Sequence, residues 1–309
     1  MADLKTKIIV VAGPTASGKT SLGIEIAKAV DGEIISADSM QVYQGMSIAT
    51  AAPTESERAE APHHLVEFLS RQENYSVSDF CRLAKEKIAD ISSRGKTPVI
   101  VGGTGLFIDS LVDNIKFTEA ETDFELRNEL MQKSADELYD TLLKIDKEAA
   151  LKIHKNNKSR VARAIEIYYT AGKTKTMQNK DSRKEESPFE TLYLVLAYKN
   201  REILYDRINC RVDMMIESGL VPEAERVLAE SGSKTSAQAI GHKELKPYID
   251  GEITLDTAVD NLKKETRHYA KRQITWFKRR ENAEIIYMDS DENPVLSAVN
   301  KCREFIYGK

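Results

Sequence analysis

Cysteine is scarce in this chain of 309 residues: Cys81, Cys210 and Cys302 are odd in number, far apart and without the close pairs that bind zinc. That excludes a disulfide scaffold and a cysteine-rich metal site, and it predicts reduced thiols. Long apolar runs are missing as well. The longest candidate, Ile8 to Ala12, falls far short of the roughly 20 residues of a membrane helix. The opening Met-Ala-Asp-Leu-Lys lacks the charged-then-apolar order of a secretory signal. There is no internal repeat and no low-complexity tract, and the composition is neither collagen-like nor disordered. These absences predict a soluble, cytoplasmic protein that does not use a membrane. A hydrophobic content of 41% and this length suffice for about two domains.

Positive charge is short overall, with a net charge of −4, yet it is concentrated. Leu151 to Lys184 holds ten Lys and Arg against two acids, and Lys263 to Arg280 holds eight against one, so the rest of the chain carries −19. Such segregation suits a cationic footprint for phosphates on a soluble protein, or two solvated helix faces; charge alone leaves both open.

The hydrophobic pattern predicts order along the chain. Lys7 to Ala12 is a short β-branched strand running into Gly-Pro, Ser21 to Val30 has helical periodicity, and Glu33 to Ala37 is a second strand. Ser76 or Ser78 caps a helix to about Arg94, with Gly95 in the left-handed position after it, and Thr97 to Val101 is a third strand closed by Gly102-Gly103. Strands alternating with helices argue for a parallel sheet covered on both faces. From about Thr118 to Thr170 the pattern is helical throughout, with a capping box at Ser134–Glu137. Gly172 to Pro188 reads as a polar loop. Strands return at Thr191 to Ala197 and Glu284 to Met288, and the longest helix runs from about Asp256 to Arg280. The expectation is an α/β fold: a P-loop-containing, doubly wound parallel sheet core made of residues 1–114 and 191–309, interrupted by an inserted all-helical domain at 115–190.

Gly13-Pro14-Thr15-Ala16-Ser17-Gly18-Lys19-Thr20 fits the phosphate-binding loop pattern in full, between a buried strand and an amphipathic helix. Its backbone N–H groups and the helix N-terminus suit phosphate oxygens, Lys19 suits a terminal phosphate, and the Thr20 hydroxyl suits Mg²⁺. The motif specifies a polyphosphate, not a nucleotide. The second Mg²⁺ carboxylate usual in ATPases and GTPases is missing, because Thr97–Val101 runs into glycines. Asp38, after the second strand, is instead placed at the ligand crevice, either as a functional acid or as a helix cap. Thr104 and its glycines suit close approach of a ligand or a tight turn. Arg207 and Arg211 share a helix face and suit a leaving diphosphate, or surface pairing with Asp206 and Asp213. His63 and His64 lack a partner cluster and read as structural, as do His154, His242 and His268. On these residues a small-molecule or nucleoside kinase and a non-catalytic RNA-binding module both stay open.

The ordered set GPTASGKT, then Ser36-Ala-Asp-Ser-Met-Gln-Val-Tyr43 with Gly45-Met46, His63-His64-Leu65 and GGTGLF resembles the bacterial tRNA dimethylallyltransferase family (the IPP transferases). The likeness continues through Ile153 to Tyr168, Gln238-Ala-Ile-Gly241 and Thr266-Arg267…Ala270 to Phe277. It implies transfer of a dimethylallyl group from dimethylallyl diphosphate to N6 of the adenosine just 3′ of the tRNA anticodon, position 37, with diphosphate released. It also implies a cytoplasmic, monomeric enzyme using Mg²⁺ held by Thr20. Asp38 would take the amine proton, and Lys19, Thr20, Thr104, Arg207 and Arg211 would complete the catalytic set. Gly13, Pro14, Thr15, Ala16, Ser17, Gly18, Lys19 and Thr20 would hold the diphosphate. Asp38, Ser39, Met40, Gln41, Thr104, Ser159, Arg160, Val161, Ala162 and Arg163 would contact the tRNA anticodon stem-loop. The chain departs from the family pattern at Ile48-Ala-Thr50-Ala-Ala-Pro53, where I-G-T-A-K-P is usual, at Phe107 for tyrosine, and at His242 where Q-A-I-G-Y has tyrosine.

Overall fold

A computed structural model describes residues 5–117, 123–182, 185–230, 232–233, 235–290 and 292–308. The chain forms two compact units, Met1–Val112 with Pro188–Lys309, and Asp113–Ser187. In the first unit the elements run β1 (Thr6–Ala12), α1 (Lys19–Ala29), β2 (Gly32–Ser36), α2 (Ser47–Thr50), α3 (Glu55–Glu60), β3 (His63–His64), α4 (Val77–Ser93), β4 (Thr97–Gly102) and α5 (Gly105–Val112). The second unit holds α6 (Phe124–Gln132), α7 (Ala135–Ile145), α8 (Lys147–Lys152), α9 (Lys158–Ala171) and α10 (Lys175–Asp181). The chain then returns with β5 (Phe189–Ala197), α11 (Arg201–Glu217), α12 (Leu220–Ala229), α13 (His242–Ile249), α14 (Leu255–Phe277), β6 (Glu284–Tyr287) and α15 (Pro294–Tyr307).

The six strands form one parallel sheet in the order β3-β2-β4-β1-β5-β6. Strand alternation sends Ile9 and Val11 to one face, where they meet Leu22 and Ile26 of α1 and Ala298, Val299 and Cys302 of α15. Helices α4 and α5 cover the other face. Each fully buried aliphatic side chain contributes roughly 1.5–3 kcal/mol, so the central strands carry much of the stability of this unit. The helix starts follow from their caps. Ser76 rather than Ser78 opens α4, its hydroxyl accepting from Asp79 N–H at 3.2 Å while Asp79 reaches back to Ser76 N–H at 3.0 Å. Ser134 and Glu137 do the same for α7.

One feature fills out the sequence reading and one departs from it. His63 and His64 form a short edge strand, where His64 Nε2 meets Glu33 at 2.8 Å; Glu33 is also held by Arg94, which keeps its carboxyl low, at about 2. The polar stretch expected as a loop over 172–188 contains α10 instead. Thr174 caps it, and buried Asp146 accepts from Thr176 N–H at 2.8 Å and Thr176 hydroxyl at 2.7 Å, so a tertiary anchor supplies what the apolar pattern lacks. Residues 118–122, where the helical region was expected to begin, lie outside the described residues.

Candidate active site

Strands β1, β4 and β2 lie side by side and parallel, in register Ala12 to Gly102 and Ser36 to Val101. Their C-terminal ends therefore deliver Gly13–Thr20, Thr104 and Asp38 to one place. A cavity of about 310 Å³ opens there, lined among others by Lys19, Thr20, Asp38, Thr104's neighbour Ser39, Arg211 and Tyr269. A wider hollow of about 1000 Å³ lies beyond it, and Lys19, Thr20, Ala51, Arg211 and Met215 line both.

The loop turns into α1 at Gly18, whose φ of +92° only glycine adopts without strain. Lys19 folds back, donating Nζ to the Pro14 carbonyl at 2.6 Å. Burial and the nearby Arg211 lower its ammonium to about 7 despite the opposing pull of Asp38. Arg207, from α11, donates Nε to the Ala16 carbonyl at 2.9 Å and so braces the loop from outside. Arg211, one turn on, lies on the wall shared by the two hollows, and burial lowers its pKa. Neither arginine pairs with Asp206 or Asp213 among the described residues; Asp213 is taken by Lys263 at 2.6 Å. The sequence alternative of two surface ion pairs therefore gives way to a pair of cations beside the loop.

Asp38 is the single carboxylate among the described residues that line the smaller cavity. Its Oδ1 accepts from Met40 N–H at 2.9 Å and Gln41 N–H at 3.4 Å, a cap-like turn with no helix following. The helix-cap reading of Asp38 is not met, since no helix follows; local bonds hold one oxygen, and the group lines the cavity wall. Thr104 Oγ1 accepts from Ser39 N–H at 3.1 Å, which ties the end of β4 to this turn. Ser36 hydroxyl donates to Gln41 Oε1 at 2.9 Å, while Gln41 Nε2 donates to the Thr50 and Ala51 carbonyls at 3.3 and 3.0 Å. Gln41 therefore holds the wall and is not a free contact.

The sequence reading placed the helix α14 but not its residues at the site. Gln273 accepts from Thr15 N–H at 2.8 Å and donates to the Gly103 carbonyl at 2.9 Å, so one amide joins the phosphate loop to the glycines after β4. A side chain on Gly103 would overlap Gln273, and one on Gly105 would overlap Trp276; those glycines admit a helix of the same chain, not a ligand. Tyr269 sits between Thr104 and Gln273, and burial with Asp38 nearby raises its phenol. Thr266, Tyr269 and Gln273 recur at helical spacing, a polar stripe on an otherwise basic helix, and that was the available signal.

In the second unit Asn157 caps α9, and Arg160 is exposed. Val161 and Ala162 are 0% and 1% exposed and pack in that unit's core with Leu138, Leu142 and Ile165. Their expected side-chain contacts with tRNA are corrected accordingly, since the helical period turns them inward. Arg163 donates to Glu166 Oε1 at 2.7 Å, and Arg127 binds the other oxygen of that buried carboxylate, also at 2.7 Å. Ser159 and Arg160 keep the outward face. Among the described residues no cluster of three His, Cys, Asp or Glu could hold a metal, and no helix is long and apolar enough to cross a membrane.

Comparison with known proteins places this architecture. The family model described as IPP transferase matches residues 41–280. The tRNA dimethylallyltransferase of Acetivibrio thermocellus is 47% identical over 292 residues, covering 92% of each chain, and that of Bacillus subtilis is 45% identical over 288 residues, covering 91% of this chain and 90% of its own. Among solved structures, the tRNA isopentenylpyrophosphate transferase of Bacillus halodurans superposes with a TM-score of 0.73 at 39% identity over 97% of both chains. A eukaryotic dimethylallyltransferase acting on tRNA gives 0.85 at 31% identity, over 98% of this chain and 80% of that one.

Proposed function

The chain belongs to the IPP transferase family, and from that premise we propose how its cavity carries out the reaction. The activity is that of its relatives, dimethylallyl transfer to tRNA. The donor is dimethylallyl diphosphate, its diphosphate lying on the N–H groups of the loop, with Lys19 and Arg211 facing its charge. The acceptor is N6 of the adenosine just 3′ of the anticodon, flipped out of its stack, because a stacked amine does not reach a buried carbon. Its amine attacks C1 of the dimethylallyl group while the C1–oxygen bond breaks. Asp38 takes the amine proton, and the bonding pair leaves with diphosphate. Charge builds on the leaving group in the transition state, so the loop and its cations supply the largest single contribution. The observation that carries this reading is that one carboxylate and one phosphate loop share a small cavity in which no second acid is available.

The residues fit a Mg²⁺ ion of the kind that keeps most of its water and is held chiefly by substrate phosphates. The Thr20 hydroxyl on the shared wall would be its protein ligand, and Mg²⁺ would add positive charge against the diphosphate. In the second unit the exposed Ser159 and Arg160 are tRNA contacts, and in the first unit the basic stretch Lys263 to Arg280 is another. A tRNA substrate supports a cytoplasmic site of action. Incubation with unmodified tRNA and either dimethylallyl diphosphate or ATP, followed by nucleoside mass analysis, tests the reading. Prenylated adenosine with the first donor is expected; product formed only with ATP overturns it.

A further inference from the structure

Ala49, Thr50 and Ala51 line the cavity that Asp38 also lines, and the rest of the segment 47–53 lines the wider hollow, yet little in its own sequence holds it. Helix α2 is a single turn, too short to persist alone, and the residue preceding it, Met46, offers no side-chain cap. The missing cap comes from elsewhere. Glu223, on α12, accepts from Ile48 N–H through Oε2 at 2.9 Å and from Ala49 N–H through Oε1 at 2.9 Å. His242, at the start of α13, donates Nε2 to the same Oε1 at 2.9 Å. Glu223 is 3% exposed and His242 4%. At the other end of the turn Gln41 holds the Thr50 and Ala51 carbonyls. The wall is thus clamped at its amide end by Glu223 and at its carbonyl end by Gln41.

We propose that Glu223 and His242 are a positioning pair for the prenyl-transfer cavity: the carboxylate caps α2 from a distance, and the imidazole fixes the carboxylate. A buried carboxylate is stable only when its oxygens are satisfied, and three N–H donors do that here. Burial pushes the Glu223 carboxyl up, but the His242 bond and the two backbone donors outweigh it and hold it low, as an acceptor-only group requires. Loss of the imidazole donor frees the carboxylate to turn, and Ala49, Thr50 and Ala51 then shift relative to Asp38. A displacement of about 1 Å in such a site can cost up to 10²-fold in rate. The pair touches neither the phosphate loop nor Asp38, so its effect is indirect.

The inference rests on the transfer reading above, and two readouts separate the two. The variants are His242→Leu, which removes the donor at similar volume, and His242→Gln, which keeps one; Glu223→Gln is the alternative if the leucine variant does not fold. Hydrogen exchange at the Ile48 and Ala49 amides reports the clamp directly. Single-turnover prenyl transfer to an anticodon stem-loop, with dimethylallyl diphosphate saturating, reports its consequence. His242→Leu should speed exchange at those two amides by at least about tenfold and slow single turnover by about tenfold. Its affinity for dimethylallyl diphosphate should stay within about twofold, and His242→Gln should recover both losses to within about threefold. Wild-type exchange and rate in His242→Leu, with only the melting temperature lowered, would make the pair a plain packing contact. Equal impairment in the leucine and glutamine variants would overturn the role of the donor. If wild-type protein transfers no prenyl group, the reaction reading fails, and exchange at Ile48 and Ala49 alone decides the clamp.

Discussion

The family resemblance assigns a continuous run of five or more phosphate- or tRNA-contacting residues both to the loop Gly13–Thr20 and to the helical run Ser159–Arg163, and the two are built on opposite geometries. The loop wraps around a point, so successive N–H groups turn toward one space, and neighbouring residues share a ligand. In α9 the 3.6-residue period sends neighbours to different sides: Arg160 to solvent, Val161 and Ala162 to the core, Arg163 to the buried Glu166. A continuous stretch of binding residues is therefore reasonable on a loop and unreasonable on a helix.

The largest effect should come from the carboxylate that faces the loop. Asp38→Ala should cut the single-turnover rate by roughly 10²-fold or more with tRNA affinity nearly unchanged, the scale of a general base. A wild-type chemical step with weakened tRNA binding would confine Asp38 to shaping its turn.

Next is the loop lysine. Lys19 titrates near 7 in the folded protein rather than at its ordinary 10.5, because burial and Arg211 disfavour its charge. A bound diphosphate favours that charge. Affinity for dimethylallyl diphosphate should therefore fall as pH rises above about 7, by up to roughly tenfold per pH unit, with proton uptake on binding. The stability contribution has the opposite slope: between about 7 and 10.5 the unfolded chain holds more protons at this residue, so stability rises with pH there. Calorimetry in buffers of different ionisation enthalpy measures the proton uptake, and Lys19→Met should abolish it. A pH-independent affinity in the wild type would mean that the lysine stays charged throughout.

On the helix, Val161→Ala should cost stability, about 2 kcal/mol, and leave tRNA affinity alone, since it removes core atoms only. Denaturant unfolding together with tRNA titration distinguishes this from a contact residue, for which affinity falls and stability does not. The smallest effect belongs to the arginines. Arg160→Ala should weaken tRNA binding a few-fold and flatten the salt dependence of log K by about 0.7 to 0.9, the loss of one phosphate contact. Arg163→Ala should instead destabilise the second unit, because Glu166 loses one of its two partners. Equal salt slopes in wild type and Arg160→Ala would return that residue to the solvated face.

Sequence alone determined the parallel sheet, the phosphate loop and Asp38 at a strand end. Each rests on short-range rules: β-branched runs, glycine dihedrals and the fact that parallel strands present their C-terminal ends together. The helix Lys175–Asp181 was hidden because its anchor, Asp146, lies some thirty residues away and its own pattern is polar. The rest of the site was decided by tertiary structure. Gln273 meets Thr15 across 258 residues, and Glu223 meets Ala49 across 174. No local periodicity encodes such pairs, because a buried carboxylate or amide finds its donors through the packing of whole helices rather than through its neighbours in the chain.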